Sequence, residues 1–227
     1  MLRDVLLDHG FIAILRGIRP PETSAVAEVL YGEGFRAVEV PCNSPQAIDS
    51  IGRLREILPR DCLVGAGTVV TSTQVNDVRS AGGNLVVMPH GDKLVIQAAI
   101  AQGLEVLPGV ATPNEAFAAL AAGVTLLKVF PADHLGPAVL KAWLAVLPAE
   151  TGLVPVGGIT PNTLVEFLAA GAAGFGIASA LYKPGMTARE VRLSARRFME
   201  SWRCGKFRNL SRLSKGLLRG AKRQESN

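Results

Sequence analysis

Aromatic residues are scarce in this chain, at 5% of 227 residues, while the hydrophobic set as a whole reaches 48%. An interior with so few rings must be filled by Val, Leu, Ile and Ala, the residues that line parallel strands covered on both faces. Cysteine is equally thin. Cys42, Cys62 and Cys204 are odd in number, far apart and without a CxxC pair, which argues against a disulfide framework and for a reducing, cytoplasmic compartment. The three histidines show no metal-ligand spacing. No run approaches the roughly 18 apolar residues of a membrane span, and the opening MLRDVLLDHGF lacks the apolar core of a signal peptide. The expectation is a soluble, unexported protein with no membrane partner.

The formal charge of +5 does not describe the whole chain. Residues 203–227 hold eight Lys or Arg and one acid, leaving a body that is slightly acidic. The basic character therefore belongs to the C-terminal end, and no nucleic-acid partner follows from it. From Cys204 onward, CGKFRNLSRLSKGLLRGAKRQESN mixes scattered leucines with single glycines and dense positive charge. We expect residues 204–227 to form a flexible basic tail, with a weakly amphipathic helix on an acidic surface, membrane or RNA as the other reading.

What is present is alternation. Eight short apolar runs recur between residues 11 and 179: FIAILRG, AVEVP, LVGAGTV, LVVMP, EVLPGV, LLKVFP, LVPVGG and GFGIAS. Between them lie segments of helical length opened by Pro or a capping residue, as in SPQAIDSIGRLREIL, TPNEAFAALAAG and TPNTLVEFLAAG, and closed near a glycine such as Gly34 or Gly171. Strand and helix alternating in this way make repeated βα units on a parallel sheet. An open doubly wound sheet and a closed (β/α)8 TIM barrel both satisfy the pattern. Eight even repeats favour closure, and a barrel of roughly 200–250 residues forms one domain. We therefore assign residues 1–203 to a single α/β barrel. GAGTVV lacks the third glycine of a dinucleotide fingerprint.

Charges at strand ends carry the chemistry. Lys128 lies in LLKVFP, apolar on both sides, so it either faces a helix layer or points into the barrel. An amine in apolar surroundings loses the hydration of its charged form and becomes the neutral nucleophile that attacks carbonyls. A lysine snorkelling from the strand end is the bland alternative. Glu39 in AVEVP is the matching acid, able to move protons beside an amine or to form a plain salt bridge with it. Arg16 ends the first strand with a fork suited to a carboxylate, and Thr68 offers a hydroxyl beside glycines. After the last two runs, Gly157, Gly158, Ala178 and Ser179 expose backbone N–H groups where barrels often bind phosphate; tight turn packing is the alternative. His90 and His134 also follow strand ends, and Cys42 has no nearby base, so it reads as buried filler.

The strings IAILRG, AVEVPCNSPQ, GAGTV, LPGVATPNEAF, LKVFPA and VGGITPNTL, in this order over residues 11–182, closely resemble the barrel aldolases that act on 2-keto-3-deoxy-6-phospho sugar acids. The resemblance implies a class I lyase that needs no metal and no cofactor. In it Lys128 forms the imine and Glu39 shuttles protons, while Thr68 and Arg16 orient the pyruvyl end. The backbone of Gly157, Gly158, Ala178 and Ser179 holds the phosphate. Cleavage would give pyruvate and D-glyceraldehyde 3-phosphate. ILRG, VEVPxNSP and VGGIT look like the galactonate branch, with the gluconate epimer or both epimers as the alternative, and Val156 stands where gluconate-type members tend to place a hydroxyl residue. The resemblance also suggests a homotrimer. His90, Gly91 and the basic tail depart from the usual pattern. Two rivals stay open: a barrel isomerase or epimerase with Glu39 as base, and a phosphosugar-binding protein without turnover.

Overall fold

Apolar runs two to five residues long become strands because both their faces are covered. In the computed structural model these are β1 (Phe11–Ile14), β2 (Ala37–Pro41), β3 (Leu63–Gly67), β4 (Leu85–Val87), β5 (Glu105–Leu107), β6 (Gly109–Val110), β7 (Leu126–Val129), β8 (Gly152–Pro155) and β9 (Phe175–Ile177). The helices are α1 (Leu2–His9), α2 (Thr23–Gly32), α3 (Ala47–Ile57), α4 (Ser72–Ser80), α5 (Lys93–Ala101), α6 (Pro113–Ala121), α7 (Ala132–Leu144), α8 (Leu164–Ala170) and α9 (Ala188–Gln224). The structure describes residues 1–224, with side chains through Lys206. No described helix is long and apolar enough to cross a membrane.

All pairings are parallel, in the orders β5-β4-β3-β2-β1-β9 and β6-β7-β8. A single bridge from Val156 to Gly176 joins β8 to β9 and closes one side. The other side closes through the chain itself. The fifth run is read from sequence as one strand; the structure divides it into β5 and β6 at Pro108. Proline has no N–H for the ladder, yet the Pro108 carbonyl still accepts the Lys128 N–H at 2.8 Å. The expected barrel stands, with this correction.

Strand alternation sorts the core into two layers. Val38, Val40, Leu127 and Val129 pack outward under the helices, whereas Ile12, Ala37, Leu63, Leu85, Leu126 and Val154 fill the inside. Ala37 and Leu126 being internal, Glu39 and Lys128 two residues on face inward as well. Leu2, Val5 and Leu6 of α1 join the internal cluster and seal the N-terminal end of the barrel. Arg3 reinforces that floor by donating to the carbonyls of Thr125 and Glu150 at 3.0 and 2.6 Å.

The scarce rings are concentrated where α9 docks. Phe11 lies 5.4 Å from Phe35, 5.7 Å from Phe198 and 5.7 Å from Trp202, centroid to centroid. Arg196 of the same helix grips Glu33 with two hydrogen bonds, at 2.7 and 3.2 Å. The predicted boundary at 203/204 falls inside α9, and the expectation of a flexible tail lies, from residue 207 on, outside the residues whose side chains are described.

Two helix starts differ from the sequence expectation. In TPNEAF, Thr112 caps α6 and shares a capping box with Glu115, as its motif predicts. In TPNTLVEF, Thr160 and Thr163 instead bond each other, closing their own turn and delaying α8 to Leu164. In SPQAID, the buried Ser44 hydroxyl turns away to accept the Gly17 N–H at 2.9 Å, and Gln46 takes a left-handed φ of 48°, so α3 begins at Ala47.

Candidate active site

The C-terminal ends of the strands converge on one mouth, and two buried ionisable groups lie in its wall. Glu39 on β2 is 2% exposed and Lys128 on β7 is 7% exposed. Burial pushes the Glu39 carboxyl up to about 7, opposed by the charges of Lys128 and Arg16 and by a hydrogen bond from the Gly67 backbone. Burial likewise drives the Lys128 amine below its ordinary value; Glu39 resists this and Arg16 assists it. Each group thus feels the other, yet no direct ion pair joins them among the described residues. Glu39 Oε2 has no hydrogen-bond partner. A structural salt bridge would have satisfied both groups, whereas an unpaired carboxyl oxygen beside a desolvated amine is the kind of perturbed pair that collects at functional sites.

Lys128 Nζ lies 4.8 Å from the centre of the Phe130 ring and has no hydrogen-bond acceptor among the described residues. Phe130 is 39% exposed, an apolar wall open to the mouth. The Nζ thus meets an aromatic face and no acceptor, in surroundings whose burial lowers its basicity.

Gly67 explains how Glu39 fits. A Cβ at this position would stand 2.0 and 2.2 Å from the two carboxyl oxygens of Glu39, so only glycine leaves room for the acid. The glycines beside Thr68, read from sequence as making room for a ligand, thus include one that makes room for a side chain. Thr68 adopts a φ of 54°, unusual for a β-branched residue and costing about 1–3 kcal/mol, a form of strain that collects at functional sites. Arg16 reaches across the mouth: Nη1 donates to Asn43 Oδ1 at 2.7 Å and Nη2 to Thr68 Oγ1 at 3.4 Å.

Beyond this group a cleft of about 150 Å³ is lined by Gly157, Gly158, Ile159, Thr160, Gly176, Ala178, Ser179 and Ala180. It brings together the four residues named for phosphate. Gly157 and Gly158 have φ of 104° and 65°, and a Cβ on Gly158 would run into Asp133 at 2.4 Å. The N–H groups of Gly158, Ser179 and Ala180, three of the lining residues, have no acceptor among the described residues. Val156, buried at 4%, donates its N–H to the Val129 carbonyl at 3.0 Å and packs its side chain against Gly176, one of the cleft residues.

The remaining sequence candidates are exposed or unsuited to chemistry. His134 is 81% exposed and leans on Asp133 at 3.4 Å. His90 is exposed too. Cys42 is half-buried, and burial, aided by the charges of Glu39 and Asp77, pushes its thiol up to about 11, which suits filler rather than a nucleophile. Among the described residues no group of three or more His, Cys, Asp or Glu could hold a metal ion. Sequence reasoning missed Gly67, Phe130 and Asn43; only the NSP string after β2 offered a signal for the last.

The model for "Aldolase: KDPG and KHG aldolase" matches residues 4–196. The chain is 44% identical over 189 residues to the "Probable 2-dehydro-3-deoxy-6-phosphogalactonate aldolase" of Rhizobium meliloti (strain 1021), covering 83% of this chain and 89% of that protein. It is 42% identical over 192 residues to the 2-dehydro-3-deoxy-6-phosphogalactonate aldolase of Escherichia coli (strain K12), covering 85% and 94%. A solved structure described as native KDPGal superposes with a TM-score of 0.84 at 41% identity, covering 86% of this chain and 95% of the other. With the barrel, the strand-end charges and the glycine-lined cleft in place, the match over most of its length shows that the chain belongs to the KDPG and KHG aldolase family.

Proposed function

We propose that the protein is a class I aldolase that cleaves 2-dehydro-3-deoxy-6-phospho-D-galactonate to pyruvate and D-glyceraldehyde 3-phosphate. The observation that carries this reading is Lys128: an amine buried, lowered in basicity and unpaired, beside a carboxyl poised near neutrality. The neutral amine adds to the C2 ketone. Glu39 passes a proton to the carbinolamine hydroxyl, water leaves, and the iminium draws in the C3–C4 bonding pair as the C4 hydroxyl gives up its proton. The aldehyde departs, the enamine takes a proton at C3, and water releases pyruvate and restores the amine.

Arg16, with Thr68, would hold the pyruvyl carboxylate, and the N–H groups around Gly157, Gly158, Ala178 and Ser179 the phosphate. The galactonate assignment leans on the names of the two relatives above and on Val156, whose apolar side chain offers no hydrogen bond to a C4 hydroxyl. A homotrimer acting in the cytoplasm completes the reading.

A coupled pyruvate-release assay with both C4 epimers tests it. The galactonate epimer should turn over with the higher kcat/KM, and Val156→Thr should move the ratio about tenfold toward the gluconate epimer, the worth of one added hydrogen bond. A ratio unmoved by this change would remove Val156 from discrimination, and an enzyme that released no pyruvate from either epimer would end the proposal. In the same assay Gly67→Ala should lose about 100-fold in kcat, because the new methyl displaces the Glu39 carboxyl by the order of an ångström. Unchanged kcat would mean that the acid need not sit where β3 holds it.

A further inference from the structure

The loops after β1, β2 and β3 are tied to one another at the mouth. Gly17 N–H donates to the buried Ser44 hydroxyl at 2.9 Å, Cys42 N–H donates to the Gly67 carbonyl at 2.8 Å, and Arg16 spans Asn43 and Thr68. Of these contacts the one between Arg16 Nη1 and Asn43 Oδ1, at 2.7 Å, is the shortest to a guanidinium that is otherwise exposed. An exposed arginine samples many rotamers unless something fixes it, and an ordered arginine loses less freedom when it binds a carboxylate.

We infer that Asn43 is the positioning residue for Arg16, and through it a determinant of affinity for the carboxylate end of the substrate. This rests on the aldolase reading above. Asn43 is well suited to the role. Its amide oxygen accepts without adding charge, so Arg16 keeps its full positive field toward an incoming anion, where an acid would have cancelled it. Arg16 has five N–H donors and uses two on Asn43 and Thr68, leaving others for a ligand. The anchor is itself held: Ser44, the next residue, is 7% exposed and bonded to the neighbouring loop. Asn43 is exposed and packs no core, so its replacement leaves the barrel intact.

The experiment is borohydride trapping of pyruvate on Lys128, read by peptide mass spectrometry across pyruvate concentrations. It uses the wild type, Asn43→Ala, Arg16→Met and the double variant, with hydroxyacetone as a ketone lacking the carboxylate. Asn43→Ala should raise the half-saturating pyruvate concentration about tenfold with the limiting trapping rate nearly unchanged. Hydroxyacetone should be trapped equally by wild type and Asn43→Ala. In the Arg16→Met background, removing Asn43 should add less than about twofold, because residues acting through one another are not additive. Equal half-saturation in wild type and Asn43→Ala, an equal penalty with hydroxyacetone, or a full penalty without Arg16 would each overturn the inference while leaving the imine reading standing. A wild type that forms no adduct on Lys128 overturns both.

Discussion

Lys128→Met should lower kcat by at least about 10⁴-fold, the scale seen when a nucleophile is removed from a unit that works together, and should abolish the borohydride-trapped pyruvate adduct. The substitution removes an amine that is 7% exposed and replaces it with an apolar chain of similar length. The scaffold loses no hydrogen bond, because Nζ makes none among the described residues, and the Phe130 ring 4.8 Å away remains in contact with an apolar group. Thermal stability should therefore hold or rise, since an ionisable group leaves an apolar site. A low-activity variant that melts with the wild type separates chemistry from folding. Turnover that survives, merely weakened, would return Lys128 to the rank of an electrostatic helper and revive an isomerase-like role for Glu39.

Glu39→Gln should lower kcat by about 10²–10⁴-fold and, in the same protein, raise stability above neutral pH. Burial holds the carboxyl proton in the folded chain up to about pH 7, whereas the unfolded chain releases it near 4.5. Between those values the native state binds more proton than the unfolded one, so stability falls as pH rises, and above pH 7 the full cost is present, about 3 kcal/mol. Below pH 4.5 both states are protonated and the cost is absent. Glutamine keeps the shape without the charge. The stability difference between variant and wild type should open between pH 4.5 and 7 and stay constant above, as read by urea unfolding across pH. A pH-independent difference would mean that the carboxyl is not held protonated by its surroundings, and an activity unaffected by the change would take the proton shuttle elsewhere. The orphaned Oε2 and the clash that any side chain at position 67 would cause agree with an acid kept for chemistry at the expense of stability.

Much of this was legible in the sequence, for a simple reason. Strands buried on both faces must be short apolar runs, so a charge inside one stands out, and Lys128 and Glu39 needed no structure to be singled out. Small residues at the ends of LVPVGG and GFGIAS marked the glycine-lined cleft by the same contrast. What stayed hidden depends on partners distant in the chain. That Gly67 houses a carboxyl from β2 cannot be read from GAGT, since the contact crosses 28 positions of sequence. The delay of α3 arises because Ser44, apparently a helix cap, is engaged by Gly17 from another loop. Asn43 looks like an ordinary polar turn residue until Arg16 is seen to lean on it. The break at Pro108 was written in the chain, yet only closure of the ring shows that its carbonyl goes on serving β7.

The plug formed by Leu2, Val5 and Leu6 gives the barrel a blind end, so traffic enters and leaves by the same opening. In the scheme proposed above, the three-carbon acid is tethered at the wall while the phosphorylated aldehyde sits nearer the exit. The aldehyde must then depart before the acid is set free, and in the synthetic direction the acid must arrive first. A cul-de-sac of this kind dictates an order of events without any moving gate.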